Sequence, residues 1–200
     1  MVASRLFVDI DTQHDFIDAD GRLSVPGADS LVGAFGRLTA YAEREGIPIL
    51  SSADAHGPDD PEFAQFPPHC LAGSDGQRKV PGTLLEAPVV VPPSGGGFPS
   101  VQPGQTIVEK TTFSMFSNPA VDAYLSRFAP AGAVVYGVAT DYCVRRAVEG
   151  LVERGIPVTV VIDAIAGVTV EGSRLALEAF EQAGVVLATT DEVVAGKAPA

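Results

Sequence analysis

The sequence is poor in the residues that most often carry chemistry. Its 200 residues hold no Trp, only 2 Cys and only 3 His. Two cysteines build no disulfide scaffold, and Met1–Ile10 reads as a strand rather than a secretory leader, so the expectation is a reducing, cytoplasmic setting. Basic residues are few as well: 13 Lys and Arg stand against 25 Asp and Glu, a net charge of −12. A chain with no basic stripe has nothing to neutralise phosphates and is repelled by anionic lipid, which argues against nucleic acid and membrane surfaces as partners. No apolar run reaches about 18 residues, so no transmembrane helix is expected. Charged residues make up 19% of the chain against 46% hydrophobic, a balance that excludes global disorder. The chain is long enough to bury about 70% of its unfolded surface, leaving roughly 9,000 Å² exposed. A single domain over residues 1–200 is the default.

Strand and helix signals alternate. Short apolar runs at Leu6–Ile10, Ile47–Leu50, Thr106–Val108, Ala133–Val138, Pro157–Ile162 and Val185–Ala188 read as strands. Helical spacing occupies Ala28–Glu45, Pro119–Phe128, Asp141–Arg154 and Glu171–Ala183. Gly46, Gly155 and Gly184 each follow a helix and precede a strand, where a left-handed C′ residue is expected. The repeated β-α-β order with near-continuous apolar strands predicts a three-layer α/β/α, Rossmann-like fold on a mainly parallel six-stranded sheet. Ala53–Gly82 and Pro88–Gly104 break the pattern and read as irregular segments, of the kind that carry function when long.

Cys143 lies in the first turn of the predicted helix after strand Ala133–Val138. In open α/β sheets ligands bind beyond such strand ends, and a helix start favours a thiolate. Most cysteines are inert packing thiols, so position alone leaves both readings open. A nucleophile needs a base. A carboxylate after the first strand would serve, and Asp9 and Asp11, two residues apart, are expected on one strand face. Asp54, His56, Glu62 and His69 fall within one short loop. That donor set suits a divalent cation, zinc first, with iron or manganese as alternatives; a solvated acidic loop is the competing reading. Lys110 ends a strand; beside a Cys and an Asp it would hold both ionised, and elsewhere it is a surface charge.

Taken together, Ile10-Asp11-Thr12-Gln13-His14-Asp15-Phe16, Asp54-Ala55-His56, Pro67-Pro68-His69-Cys70, Lys110-Thr111-Thr112-Phe113-Ser114-Met115-Phe116 and Gly137-Val138-Ala139-Thr140-Asp141-Tyr142-Cys143-Val144 resemble the isochorismatase-like cysteine hydrolases. Within them the nicotinamidase/pyrazinamidase group is most similar, and the resemblance runs from about Leu6 to Val194. It implies a catalytic triad at Asp11, Lys110 and Cys143. It implies a cis peptide between Val138 and Ala139, with the N–H groups of Ala139 and Cys143 as an oxyanion hole. The metal ligands fall on Asp54, His56 and His69, with Glu62 at a further ligand position. Asp9 departs from the pattern, standing where an apolar residue is usual, and Phe66 stands where Trp is frequent.

The implied activity is hydrolysis of a small carboxamide, nicotinamide above all, through a cysteine thioester. Phe16, Phe66 and Tyr142, with Phe113 beside them, would contact a flat ring. The alternatives are a related amidohydrolase acting on a ureido or carbamoyl compound, and a non-catalytic binding module on the same fold. A small-molecule amide is the expected partner, and a homo-oligomer remains open. No Gly-x-Gly-x-x-Gly follows the first strand, which disfavours a dinucleotide-binding protein.

Overall fold

The computed structural model describes residues 5–96 and 104–198. Part of the Pro88–Gly104 stretch, the first four residues of the chain and the last two lie outside the described residues. Seven strands form one sheet in the order β3-β4-β2-β1-β5-β6-β7, and every neighbouring pair is parallel. The strands are β1 Arg5–Ile10, β2 Ile49–Asp54, β3 Val89–Val91, β4 Gln105–Lys110, β5 Gly132–Val138, β6 Val158–Ala166 and β7 Val186–Ala188. The helices are α1 His14–Ile17, α2 Val32–Glu45, α3 Ala120–Phe128, α4 Arg145–Glu153, α5 Val170–Gln182 and α6 Thr190–Val194.

Because successive strand residues point to opposite faces, each strand feeds two cores. Leu6, Val8 and Ile10 of β1 pack with Val108, Val135 and the apolar sides of α3, α4 and α5. Phe7 of the same strand packs with Ile49, Val134, Tyr136 and the inner side of α2, with Val193 of α6. The result is a three-layer α/β/α architecture. Gly46, Gly155 and Gly184 adopt φ of 65°, 70° and 77°, the left-handed helix-terminating conformation read from the sequence.

The sheet has seven strands, not six. The extra strand, β3, is three residues long, sits between Pro88 and Pro92 in the stretch read as irregular, and pairs only with β4. So short a strand between prolines carries no period of its own. Short α1 and α6 were also missed. The helix expected from Asp141 begins instead as a π-helical turn over Thr140–Val144, and α4 follows it.

Asp9 and Asp11 do not share a face. Asp9 continues the alternation of β1 and lies among Ser51, Thr12 and Lys79, while Asp11 follows the strand with φ 49° and meets Ser52 and Lys110. A single left-handed residue breaks the period-2 rule at the strand end. Gly137 permits the close approach of β1 and β5: a Cβ there would lie 2.0 Å from the Ile10 carbonyl oxygen.

Candidate active site

Four neighbouring strands, β4, β2, β1 and β5, deliver their C-terminal ends to one place. The chain passes from one half of the sheet to the other between β4 and β5, and such a switch point is where open α/β sheets form a crevice. Asp11 follows β1, Asp54 ends β2, Lys110 ends β4, and Cys143 sits in the π-helical turn after β5.

Lys110 is the hub. Its Nζ is 2.8 Å from Asp11 Oδ2, 2.5 Å from Asp54 Oδ1 and 3.7 Å from Cys143 Sγ. Ser52 Oγ donates to the other Asp11 oxygen at 2.6 Å. All four groups are buried. Burial alone would lower the proton affinity of Lys110, but Asp11, Asp54 and Cys143 hold it well above the ordinary lysine value. Burial, with Asp54 adding to it, raises the Asp11 carboxyl against the pull of Lys110. The Cys143 thiol is also pushed up, by burial first and then by Asp11, Asp54 and a hydrogen bond with Asp11, with Lys110 opposing. The helix-start argument predicted a favoured thiolate; desolvation outweighs it and favours the thiol, while the raised proton affinity of Asp11 suits it to accept a proton.

The second cluster shares Asp54. Its Oδ2 lies 3.6 Å from His56 Nε2 and 3.8 Å from His69 Nε2, and the candidate donor atoms of Asp54, His56 and His69 all fall within 4.8 Å of one another. Two tetrahedral ligands about 2.05 Å from an ion are about 3.3 Å apart, so the spacing is close to a cation-holding one. His69 Nδ1 faces the Pro67 carbonyl at 2.8 Å, where it must donate, leaving Nε2 of the neutral ring as a lone-pair donor toward the cluster. His56 Nε2 is buried with no hydrogen-bond partner among the described residues. Its Nδ1 faces Asp60 Oδ2 at 3.0 Å, a contact not read from the sequence. Burial would lower the His56 pKa, but the Asp54 and Asp60 carboxylates drive it up to about 9. Burial would raise Asp54; Lys110, His56 and His69 hold it below the usual carboxylate range. Glu62 stands at the edge, its Oε1 3.9 Å from His69 Nε2, and burial raises its carboxyl.

A cavity of about 80 Å³ opens onto both clusters. Its wall includes Phe16, Phe66, Phe113 and Tyr142. Phe66 stands edge-on to Phe113 and Tyr142, with ring centres 6.0 Å and 6.3 Å away. Phe16 leans on His69 at 5.3 Å. Val138 and Ala139, joined by a cis peptide, complete the wall beside Cys143. Leu23, Val25 and Val168 also line it and went unnoticed in the sequence, because each comes from a loop with no motif of its own. His14 lies elsewhere and pairs with Asp18 at 2.7 Å.

The three-layer fold is that of isochorismatase-like structures, and residues 96–192 match the model of the Isochorismatase domain. Among its relatives, the nicotinamidase/pyrazinamidase of Mycobacterium tuberculosis (strain ATCC 25618 / H37Rv) is 29% identical over 190 residues, covering 92% of this chain and 97% of the relative. The N-carbamoylsarcosine amidase of Thermoplasma acidophilum superposes with a TM-score of 0.75 at 26% identity, covering 94% of this chain and 98% of that one. The pyrazinamidase of Pyrococcus horikoshii, in complex with zinc, superposes with a TM-score of 0.78 at 22% identity over 93% of this chain and 99% of that one.

Proposed function

We propose that the chain hydrolyses a small, uncharged aromatic carboxamide, nicotinamide first, to the carboxylate and ammonia through a thioester on Cys143. The observation that carries this is the meeting of Asp11 and the Cys143 thiol at one end of a cavity walled by aromatic rings, with Lys110 in contact with both from behind that wall. Asp11 takes the thiol proton, and the sulfur attacks the amide carbon. The N–H groups of Ala139 and Cys143 receive the negative charge that forms on the amide oxygen. Asp11 returns the proton to the departing nitrogen, and ammonia leaves. Water then attacks the thioester with Asp11 again taking a proton, which passes to the departing sulfur. Lys110 stays charged throughout and offsets whichever of Asp11 and Cys143 is anionic.

Asp54, His56 and His69, with Glu62 beside them, would hold a divalent cation, zinc by the donor set and the zinc-containing relative, which offers a Lewis-acid contact to a lone pair on the substrate. The relation to an N-carbamoylsarcosine amidase raises carbamoyl substrates as the second reading. The lining speaks against it: Asp11, Asp54 and Glu62 contribute carboxylates, and among the described residues no Arg or Lys lines the cavity to receive a substrate carboxylate.

The test is ammonia release from nicotinamide, pyrazinamide and a carbamoyl amino acid, before and after chelation, by the wild type and Cys143→Ala. Nicotinamide and pyrazinamide should be turned over, and Cys143→Ala should lose activity while melting as the wild type does. Chelation should cut the rate, and added zinc should restore it. Undiminished turnover by Cys143→Ala would sink the mechanism; turnover of the carbamoyl compound alone would transfer the assignment to the second reading.

A further inference from the structure

The backbone partner of β2 is missing where the site needs it most. The β1–β2 ladder ends at Ile10↔Ser52, followed by one bond from the Asp11 N–H to the Ser52 carbonyl at 3.2 Å. There β1 turns away, yet β2 runs on to Asp54, paired on its other side with Lys110. In a parallel ladder the N–H and C=O of alternate residues point to the same neighbour, so both Asp54 groups face the space that β1 has left. Buried there without partners they would be costly.

The side chain of Gln13 fills that space. Its Oε1 accepts from the Asp54 N–H at 2.7 Å, and its Nε2 donates to the Asp54 carbonyl at 2.8 Å and to the Gln77 carbonyl at 2.7 Å. Gln13 is fully buried. A side-chain amide thus takes the place of a peptide group and extends the ladder by one step. The backbone of Gln13 is tied to Asp11 in turn, its N–H donating to the Asp11 carbonyl at 2.8 Å. One residue therefore sets the spacing between the two carboxylates that flank Lys110.

We propose that Gln13 is a positioning residue that fixes the Asp54 carboxylate for both of its contacts, Oδ1 to Lys110 and Oδ2 to the two histidines. The proposal rests on the functional reading of Asp54 given above. Conserving the bulk of Gln13 without its donors should loosen Asp54 while the fold survives.

The test compares wild type, Gln13→Glu and Gln13→Met, both of similar volume. Zinc affinity is measured by competition with a chromogenic chelator. The alkylation rate of Cys143 by iodoacetamide, in zinc-free protein, is read on its own peptide by mass spectrometry. Zinc binding should weaken about tenfold or more, the scale of an outer-shell contact to a metal ligand. Alkylation should slow severalfold, because Lys110 loses one of the two tethers that hold it near the thiol. A purely structural role would lower the melting temperature and leave both readings alone in the folded protein, and that result overturns the proposal. If the wild type binds no zinc, the metal reading fails and the alkylation rate alone decides for or against Gln13. Failure of both variants to fold also overturns it, in favour of an architectural role.

Discussion

Asp9 and Lys79 form a second buried ion pair, 2.9 Å apart on the sheet face away from Cys143. Thr12 Oγ1 and Ser51 Oγ donate to the Asp9 oxygens at 2.9 Å and 3.2 Å. Such a pair adds little net stability against an apolar replacement, but removing one partner strands a charge. Lys79→Met should therefore cost about 3–5 kcal/mol. Adding Asp9→Asn should recover part of that loss, since the amide is uncharged and its one oxygen still accepts from one of the two hydroxyls; urea unfolding of the single and double variants measures both. The contrast with Asp11 is instructive. Both acids were visible in the sequence, but the φ of 49° that turns Asp11 to the opposite face was not, because an aspartate in the left-handed region leaves no periodic trace. Asp60, which orients His56, was likewise hidden among neighbouring acids.

At the scale of elements, two glycines act in very different ways. Gly137 lets β5 lie against the end of β1, where a Cβ would strike the Ile10 carbonyl at 2.0 Å; Gly155 has φ 70° with open space around it. Gly155→Ala should cost about 1–2 kcal/mol, the price of a left-handed L-residue. Gly137→Ala should exceed about 4 kcal/mol, the range reserved for clashes that the surroundings cannot relieve. Thermal melting of the two variants checks the order, and equal losses would refute the steric reading. The alternating strand-helix pattern and the glycine stops were legible because each repeats a local rule. The strand β3 was not, since its three residues between prolines are organised only by β4. The π-helical turn at Cys143 escaped for a related reason: its side chains keep an approximately helical spacing while the backbone does not.

On the scale of the molecule, two of the four tyrosines are nearly inaccessible and sit on opposite faces of the sheet, Tyr124 in one core and Tyr136 in the other. Burial raises Tyr124 to about 12. Burial, then the Asp9 charge, raises Tyr136 well above the ordinary value, against a contact with Thr39. The folded state holds these protons more tightly than the unfolded chain, whose tyrosines titrate near pH 10. Their stabilising contribution is therefore complete below about pH 10 and declines as pH rises through the folded values. Alkaline unfolding should set in above about pH 10, and the stability lost between pH 8 and pH 11 should shrink in Tyr124→Phe/Tyr136→Phe. Denaturant titrations at the two pH values measure it; an unchanged loss would remove the tyrosines from the account. Among the described residues no helix is long and apolar enough to cross a membrane.

One carboxylate, Asp54, belongs to both clusters, an oxygen to each. For anyone reading natural variation or a mutational scan, position 54 is a confounded variable: its loss removes the counter-charge to Lys110 and a candidate metal-donor atom in a single event, so an inactive variant there carries the same score under either cause. The informative positions are the ones that touch a single oxygen. Lys110 reports on one half, His56 and His69 on the other, and the comparison between those columns, rather than the most damaging column, is where the two roles come apart.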